Sequence, residues 1–441
     1  MMAVSRFKLL LGNRLLSTGL ISLVIKVAGA GLSYLMFVAF ARMLSAEDYG
    51  VFAFSFNLAI VISAFAGFGY STAILRYWPQ YMAQGRPEYA KGVIRMGSML
   101  SFAGVAIILL ASLVIDQVTG ARLQKHFLGV AILASTFCFG DFAAGVLRAQ
   151  HSVVGSMLPR DVLWRILAPL AAATLIWLGY GLNSANAIYV SAAMLGVLLL
   201  GQILLIFRST ARLAGPAEAV SDWAGTRDSL LPLWGAGIVF AMIQQMDVVV
   251  VGYLMNGAET GAYFAAQKTA TLLSLVLIAG GLVTAPIMAS LYEKRDHAAL
   301  QKLCKELVLA IAVVTFLGFV FLVFAGNLLL SFFNPSFTSA YGILLILAFG
   351  CMIDAVSGPT AYLMQMTSYE KAYLKIMVIC YLLVIALQFA LIPRYGGIGA
   401  ALASASGTVI WNLWSIALLR TKAALDPSIL GLVWPAKRKG S

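Results

Sequence analysis

LVLAIAVVTFLGFVFLVFAGN, residues 307–327, contains no charged side chain and is long enough to cross a membrane as one helix. Similar apolar runs recur along the chain, and since a span needs about 20 mostly apolar residues, they predict about twelve membrane-crossing helices. No stretch alternates polar and apolar residues as a barrel strand would, so the sequence predicts an all-α polytopic membrane protein. The predicted spans are residues 17–40, 49–74, 93–115, 127–147, 162–180, 187–207, 230–253, 262–290, 307–327, 340–364, 372–392 and 396–419.

The composition argues against a water-soluble domain. Hydrophobic residues make up 61% of the 441 residues and charged residues 11%, whereas a soluble domain carries roughly 25% charged residues. A net charge of +13 would suggest a nucleic-acid partner in a soluble protein. Here the basic residues lie in short segments between apolar runs, so the positive-inside rule explains them and no nucleic acid is predicted.

The distribution of Lys and Arg also predicts the orientation. With the N-terminus placed inside, 24 of the 30 basic residues fall in inner segments, and Lys26 and Lys268 fall within spans. Both termini are therefore predicted to be cytoplasmic. The first span is predicted to stay uncleaved, because Lys26 would interrupt the apolar region of a signal peptide. The outer segments hold Arg42, Arg122, Lys125 and Arg394.

The longest hydrophilic connector divides the chain into two halves. The predicted parts are an inner-surface segment (1–16), an N-terminal six-helix bundle (17–208), a cytoplasmic connector (209–229), a C-terminal six-helix bundle (230–420) and a cytoplasmic tail (421–441). A weak internal repeat supports this division. After the first span of each half, acidic residues precede a glycine and an aromatic residue, in EDYGVF (47–52) and ETGAY (259–263). Basic residues in 4–16 and 437–439 are expected to lie against anionic headgroups.

Few residues in the sequence could build a catalytic or metal site. Cys138, Cys304, Cys351 and Cys380 lie in or beside apolar runs without CxxC spacing, so they are interpreted as apolar packing residues. The three histidines are scattered, and no cofactor is predicted. The short outer loops leave little room for an enzyme that assembles sugars outside the membrane. The remaining candidates are polar residues inside spans, which are costly there and so mark functional sites by default.

Lys26 lies in the first span, where Ser22, Lys26, Gly29 and Ser33 form one small, polar helix face. In one interpretation, the Lys26 ammonium reaches the inner headgroups along its flexible stem. In the other, it faces a water-filled cavity and binds an anion.

Asp247 and Lys268 are predicted to lie at similar depth near the outer ends of spans seven and eight, because a tight loop joins these spans. One interpretation is a static ion pair that reduces the insertion cost. The other is a switchable pair, in which Lys268 binds an anionic headgroup while Asp247 is released or protonated. Gln244 shares a helix face with Asp247.

Asp354 is the deepest acid, near the middle of span ten, and Ser357, Gly358 and Pro359 follow it. Glycine and proline there predict a broken helix with exposed backbone carbonyls. A midplane carboxylate beside free carbonyls can take up a proton or Na⁺. The alternative is a neutral, hydrogen-bonded packing residue.

Other features predict packing. Asp141 and Arg148 share a helix face and are interpreted mainly as structural. Gly399, Ala403 and Gly407 form a stripe of small residues that lets helix backbones approach closely. Pro286 predicts an interfacial turn in the long eighth span.

Four segments of the chain match sequence patterns of one known transporter family. They are ARMLSAEDYGVF (41–52), MDVVVVG (246–252), GAYFAAQK (261–268) and IPRYGGIGAA (392–401). They resemble, in this order, the first-loop signature, the seventh-helix pattern, the start of the eighth helix and the link between spans eleven and twelve of bacterial polysaccharide flippases, which move O-antigen or exopolysaccharide units. This family shares a superfamily with multidrug and toxic-compound extruders and the peptidoglycan-precursor flippase.

The resemblance covers nearly the whole chain. It implies two six-helix bundles facing each other around a central cavity, alternating access, and cargo carried on undecaprenyl diphosphate. It also implies cationic cavity residues on the first and eighth helices, where this chain has Lys26 and Lys268. Asn57 stands in span two, where a third cation would be expected. The predicted substrate-binding residues are Lys26, Lys268, Gln244, Asn57 and Arg42, and the candidates for coupling to H⁺ or Na⁺ are Asp247 and Asp354.

The predicted function is translocation of a lipid-linked glycan across a bacterial inner membrane. A lipid diphosphate cannot cross about 30 Å of hydrocarbon unaided, because a desolvated anion is very costly there. The expected partners are this lipid, other membrane lipids and a glycan polymerase or export machinery. Three alternatives stay open: a cation-coupled drug exporter of the same superfamily, a membrane enzyme of glycan assembly, and a scaffold that recruits glycan enzymes.

Overall fold

A computed structural model describes the backbone of residues 2–119 and 124–433 and the side chains of residues 22, 24–114 and 127–431. The described residues form helices joined by short turns and loops, which confirms the all-α polytopic fold class. The predicted headgroup contacts of residues 4–16 and 437–439 lie outside the described side chains. The helices are α1 (Met2–Met43), α2 (Ala46–Ala66), α3 (Tyr70–Ala83), α4 (Pro87–Thr119), α5 (Gln124–Ala149), α6 (Val153–Leu158), α7 (Trp164–Trp177), α8 (Ser184–Ala214), α9 (Trp223–Leu254), α10 (Gly257–Thr271), α11 (Leu275–Glu293), α12 (His297–Phe333), α13 (Tyr341–Ser357), α14 (Thr360–Gln365), α15 (Glu370–Leu418) and α16 (Leu430–Val433).

Ten helical segments of the described chain are long and apolar enough to span a membrane. Two features account for the difference from the twelve predicted spans. The α15 helix bends at Gly396, whose left-handed φ of 56° separates predicted spans eleven and twelve. Predicted span five (162–180) falls on the end of a π-helical segment (Pro159–Leu163) and on α7 (Trp164–Trp177), which has only 14 residues and is too short to count as a span.

Each half begins its second helix with the same capping arrangement. The Ser45 hydroxyl accepts a hydrogen bond from the Asp48 backbone N–H at 3.1 Å and caps α2. The Asn256 side chain accepts one from the Glu259 N–H at 2.9 Å and caps α10. The acidic residue in each first turn also favours the helix dipole. The predicted repeat therefore corresponds to two helix starts of the same kind.

The chain forms two compact units, residues 1–249 and 250–441. In the first unit, α2 and α3 are separated at Gly69, which has a left-handed φ of 71°. A side chain at Gly69 would lie 2.7 Å from the Trp234 backbone nitrogen. The Trp234 indole N–H donates to the Phe65 carbonyl at 2.9 Å, so the start of α9 packs onto this break. This contact explains why the first unit continues past the predicted connector. The predicted division into six-helix bundles stays a prediction.

The connector between α8 and α9 is held against α3 and α4 by hydrogen bonds. The Lys91 ammonium donates to the carbonyls of Gly215 and Ala217, the latter at 2.8 Å. The Tyr81 hydroxyl donates to the Asp222 carboxylate at 2.9 Å. The Val220 N–H donates to the Glu88 carbonyl at 3.0 Å. The connector is therefore an ordered part of the first unit.

In the second unit, the predicted interfacial turn after Pro286 is wrong, because Pro286 lies inside the continuous helix α11. The change in geometry occurs earlier, in a short 3-10 segment (Leu272–Ser274). The predicted small-residue stripe is confirmed. A Cβ atom at Gly407 would collide with the Val384 side chain across the bend of α15, so the small residue lets the two parts of α15 pack closely.

The segment after α15 folds back into the second unit. Asp426 is fully buried, and its carboxylate accepts hydrogen bonds from Arg420 Nε at 2.6 Å and from the Ser428 hydroxyl at 2.6 Å. Gln301 of α12 exchanges two hydrogen bonds with the Asp426 backbone. These contacts compensate the burial of the charge and fix the segment against α12.

Candidate functional site

The predicted polar face of α1 contacts the π-helical segment. Gly29 is buried, and a Cβ atom there would lie 2.9 Å from the Asp161 carbonyl and 3.0 Å from Arg165 Nη1. Only a glycine allows the two backbones to approach this closely. Lys26 is exposed and lies one turn before Gly29 on the same helix face. Lys26 therefore lies on the face of α1 that packs against the π-helical segment.

The π-helical segment arises where the chain enters predicted span five. Its Pro159 has no backbone N–H, and the Trp164 N–H donates to the Pro159 carbonyl five residues earlier. The wider turn presents Arg160 and Asp161 to neighbouring helices. Such single turns inside helices occur frequently at functional sites.

Arg160 and Arg165 form two ion pairs around this segment. The Arg160 guanidinium pairs with Asp141 of α5, and their side chains are 27% and 46% exposed. The Arg165 guanidinium donates to the Gly29 carbonyl and lies 3.4 Å from the Asp161 carboxylate. We call Lys26, Asp141, Arg160, Asp161 and Arg165 the cationic cluster, because its three basic residues outnumber its two acidic ones.

Aromatic side chains pack against the cationic cluster. The Arg160 guanidinium lies over the Phe137 ring, 5.0 Å from its centroid. The Trp164 ring stacks on Phe56 at 5.9 Å, and its indole N–H donates to the Ser191 carbonyl at 2.9 Å. The cation–π contact and the rigid rings restrict where the guanidinium can go. The arrangement positions a partly exposed guanidinium for an anion.

Arg160 and Arg165 are not among the predicted site residues, because the positive-inside rule accounts for basic residues at the inner end of a span. Pro159 between apolar runs is the signal that could have identified the break. Asp141 and Arg148 share a face of α5 but have different partners. Asp141 pairs with Arg160, while Arg148 Nε donates to the Ala144 carbonyl at 3.3 Å.

The other candidates of the first unit lie apart in the chain and differ in exposure. Asn57 is 1% exposed, and its side-chain amide donates to the Ala53 carbonyl at 2.7 Å. In this conformation the packed helices therefore enclose it. Arg42 is exposed at the end of α1. On α9, Gln244 is exposed and Asp247 is half-buried.

Lys268 in the second unit is half-buried on α10, and its ammonium lies over the Phe264 ring, 4.9 Å from the centroid. This cation–π contact fixes the lysine one turn from its aromatic partner. Asp247 belongs to the first unit and Lys268 to the second, and their predicted pairing stays a prediction.

Asp354 lies one turn before the end of α13, and its carboxylate accepts a hydrogen bond from the Asn412 side-chain amide at 2.9 Å. The Asn412 carbonyl oxygen is buried without a hydrogen-bond partner. A buried acceptor beside a carboxyl group is an arrangement that a proton or a small cation would complete. Asp354 and Asn412 thus form a second candidate site.

The predicted helix break after Asp354 is confirmed, since α13 ends at Ser357 and α14 begins at Thr360. The prediction that the break leaves exposed carbonyls is wrong. The Val356 carbonyl accepts from the Ile429 N–H at 2.9 Å, and the Ser357 carbonyl accepts from the Thr360 hydroxyl at 2.7 Å. The returning C-terminal segment fills the break and satisfies the backbone.

Within the described residues, no group of three or more His, Cys, Asp or Glu side chains could hold a metal ion.

Comparison with known proteins gives a family and a fold. The family profile described as "Polysaccharide biosynthesis protein" matches residues 15–292, more than half of the chain. A probable low-salt glycan biosynthesis flippase of Haloferax volcanii is 23% identical over 86% of this chain and 78% of its own length. The structure of the lipid II flippase MurJ in an inward closed conformation matches with a TM-score of 0.67 at 14% identity, covering 91% of this chain and 87% of that one. An inward-facing multidrug resistance MATE family transporter matches with a TM-score of 0.64 at 15% identity, covering 91% and 96%.

Proposed function

Because this chain belongs to the polysaccharide biosynthesis protein family, we propose that it is a flippase for a lipid-linked glycan. It moves an undecaprenyl diphosphate-linked sugar unit from the cytoplasmic to the outer leaflet of a bacterial inner membrane by alternating access. It is a transporter and not an enzyme, and both termini are cytoplasmic. Its partners are membrane lipids and the polymerase or export machinery that takes up the flipped unit.

The observation that carries this proposal is the cationic cluster. Guanidinium groups bind phosphate oxygens with paired, charge-assisted hydrogen bonds, which suits a diphosphate headgroup. Asp141 and Asp161 hold Arg160 and Arg165 in place when no headgroup is bound. An arriving phosphate competes with these carboxylates, so binding exchanges one anionic partner for another. Lys26 adds a positive charge on the adjoining helix.

The fold is shared by lipid flippases and multidrug transporters, so the choice between them depends on the site. A site for cationic drugs would present carboxylates and aromatic rings without competing cations. Here three basic residues outnumber two acidic ones, and both arginines are partly exposed. This balance of charge favours an anionic headgroup.

Asp354 and Asn412 are the proposed coupling site. A proton or Na⁺ on the Asp354 carboxylate would also satisfy the buried Asn412 carbonyl, so occupancy changes the hydrogen bonding between α13 and α15. Because the carbonyls of Val356 and Ser357 already accept hydrogen bonds, we assign this role to the two side chains. We propose that Lys268 contacts the anionic headgroup. Asp247 is proposed as its ion-pair partner, which is released or protonated when the headgroup binds.

The test is a deletion strain complemented with variants and assayed for lipid-linked glycan trapped on the cytoplasmic face. Lys26→Ala, Arg160→Ala and Lys268→Ala should leave glycan trapped, and Asp247→Asn should alter the pH dependence of export. Arg212→Ala is the matched control, since Arg212 is an exposed basic residue at the end of α8 outside the cationic cluster. Normal export in all three alanine variants, or no trapped glycan in the deletion strain, would refute the proposal. Dye efflux on overexpression would instead favour a drug exporter.

A further inference from the structure

An open groove of about 480 Å³ lies between helices α1 and α7 of the first unit. We call it the α1–α7 groove. Its floor is almost entirely apolar, and Leu35 and Leu170 are 60% and 57% exposed. This size lies in the range of small-molecule sites. The lining residues are Leu32, Leu35, Met36, Ala39, Arg42, Met43, Arg165, Ile166, Pro169, Leu170 and Ala173.

The α1–α7 groove has an arginine at each end. Arg165 marks one end, where its guanidinium donates to the Gly29 carbonyl. Arg42 marks the other end, one residue before α1 ends. The rise from Gly29 to Arg42 is about 20 Å at ~1.5 Å per residue. This length exceeds the thickness of one leaflet, which is about 15 Å in a hydrocarbon core about 30 Å thick. In the predicted orientation, Arg42 lies at the outer interface.

This pattern matches a lipid seated in the outer leaflet. An apolar floor accepts a hydrocarbon chain, and a guanidinium at the interface complements a phosphate. The deep end is continuous with the cationic cluster, because Arg165 belongs to both. The α1–α7 groove therefore leads from the proposed headgroup site to the outer surface.

We infer that the α1–α7 groove is the exit site of the flipped carrier lipid. The lipid diphosphate lies on Arg42, and the first isoprenoid units of its chain lie on the floor between α1 and α7. This inference rests on the proposed function, since it assigns the position of the product of that translocation. It gives Arg42 a role after the flip, whereas the cationic cluster acts before it.

The test blocks the floor of the α1–α7 groove with tryptophan. Leu35→Trp places the larger side chain in the groove, where the exposure of Leu35 leaves room for it without disturbing the core. Val24→Trp is the matched control, because Val24 is 64% exposed on the same helix and outside the groove. The full-length protein in phosphatidylcholine nanodiscs is titrated with undecaprenyl diphosphate, undecaprenol and phosphatidylglycerol.

Leu35→Trp should raise the Kd for undecaprenyl diphosphate by about tenfold, and Val24→Trp should change it less than about twofold. Arg42→Gln should weaken binding of undecaprenyl diphosphate and leave undecaprenol unchanged. Equal binding by Leu35→Trp and Val24→Trp would overturn the inference. So would displacement of undecaprenyl diphosphate by an equal concentration of phosphatidylglycerol, which would assign the groove to bilayer phospholipid.

A translocation assay in vesicles separates this inference from the proposed function. If the unaltered protein flips lipid-linked glycan and Leu35→Trp flips and binds it as well as Val24→Trp does, the exit site alone is refuted. If the unaltered protein does not flip lipid-linked glycan, the proposed function fails, whatever the tryptophan variants bind.

Discussion

Replacing Asp141 by asparagine should strengthen the binding of a lipid diphosphate, whereas replacing Arg160 by glutamine should weaken it. In the structure, Arg160 is paired with Asp141. A phosphate must compete with this carboxylate for the guanidinium. Asp141→Asn removes the competing charge and leaves Arg160 in place over the Phe137 ring. Arg160→Gln removes the charge that the phosphate needs.

The size of both effects follows from the exposure of the pair. With side chains 27% and 46% exposed, the pair contributes about 0.2–1 kcal/mol to stability, so neither variant should unfold the protein. A hydrogen bond to a charged group is worth about 1.5–3 kcal/mol. Losing it should weaken diphosphate binding by roughly 10- to 150-fold. Removing the competing carboxylate should improve binding by up to about fivefold, which corresponds to ~1 kcal/mol.

The measurement is the Kd for undecaprenyl diphosphate at low and high salt, together with the thermal stability of each variant. Arg148→Gln is the control, because Arg148 is an exposed basic residue on the same face of α5 as Asp141. It should bind like the unaltered protein. If Asp141→Asn and Arg160→Gln weaken binding equally, the ion pair only supports the fold and the reasoning is refuted.

Three further predictions concern the connector and the coupling site. Gly92→Ala should lower the free energy of unfolding by about 1–3 kcal/mol and make the connector more sensitive to protease, because a Cβ atom there collides with the Val220 carbonyl. The pKa of Asp222 lies below its usual value, mainly because the Gly225 N–H donates to the carboxylate. Its stabilisation is therefore present above the unfolded-state pKa of about 3.9 and lost as pH falls through the folded pKa. Asp222→Asn should therefore lower thermal stability at pH 7, and the difference from the unaltered protein should shrink as the pH is lowered below about 3.9. Asp354→Asn should keep glycan binding but make translocation in vesicles insensitive to an imposed proton or Na⁺ gradient, and an unchanged response to both gradients would exclude Asp354 from coupling.

The sequence predicted the helices well because their apolar character is a local property. Long apolar runs form helices in lipid wherever they occur, so the span positions follow from composition alone. The bend lies at Gly396, the first residue of predicted span twelve, so the predicted boundary between spans eleven and twelve is close to the observed one. Pro286 misled the prediction, because a proline is tolerated inside a membrane helix when neighbouring groups compensate for its missing N–H.

The cationic cluster was harder to predict, because it depends on which helices contact one another. Lys26 and Gly29 were placed on one polar face from helical spacing, and the structure puts that face against the π-helical segment. Arg160 and Arg165 looked like ordinary inner-surface charges, since only tertiary packing brings them to Gly29 and to Asp141 of α5. A sequence shows where charged residues occur along the chain, but not which neighbouring helix their side chains contact.

The helix break after Asp354 shows how distant parts of the chain change the chemistry of a local motif. Gly358 and Pro359 do break the helix, yet the Val356 carbonyl is satisfied by Ile429, more than sixty residues further on. The carbonyls of Val356 and Ser357 therefore already accept hydrogen bonds and are not freed by the break. If Asp354 couples transport to an ion, the side chain of Asn412 is the partner that completes its coordination. Two side-chain groups suit a proton better than Na⁺, which needs more oxygen ligands than this pair provides, so the proton gradient is the one to which translocation should respond.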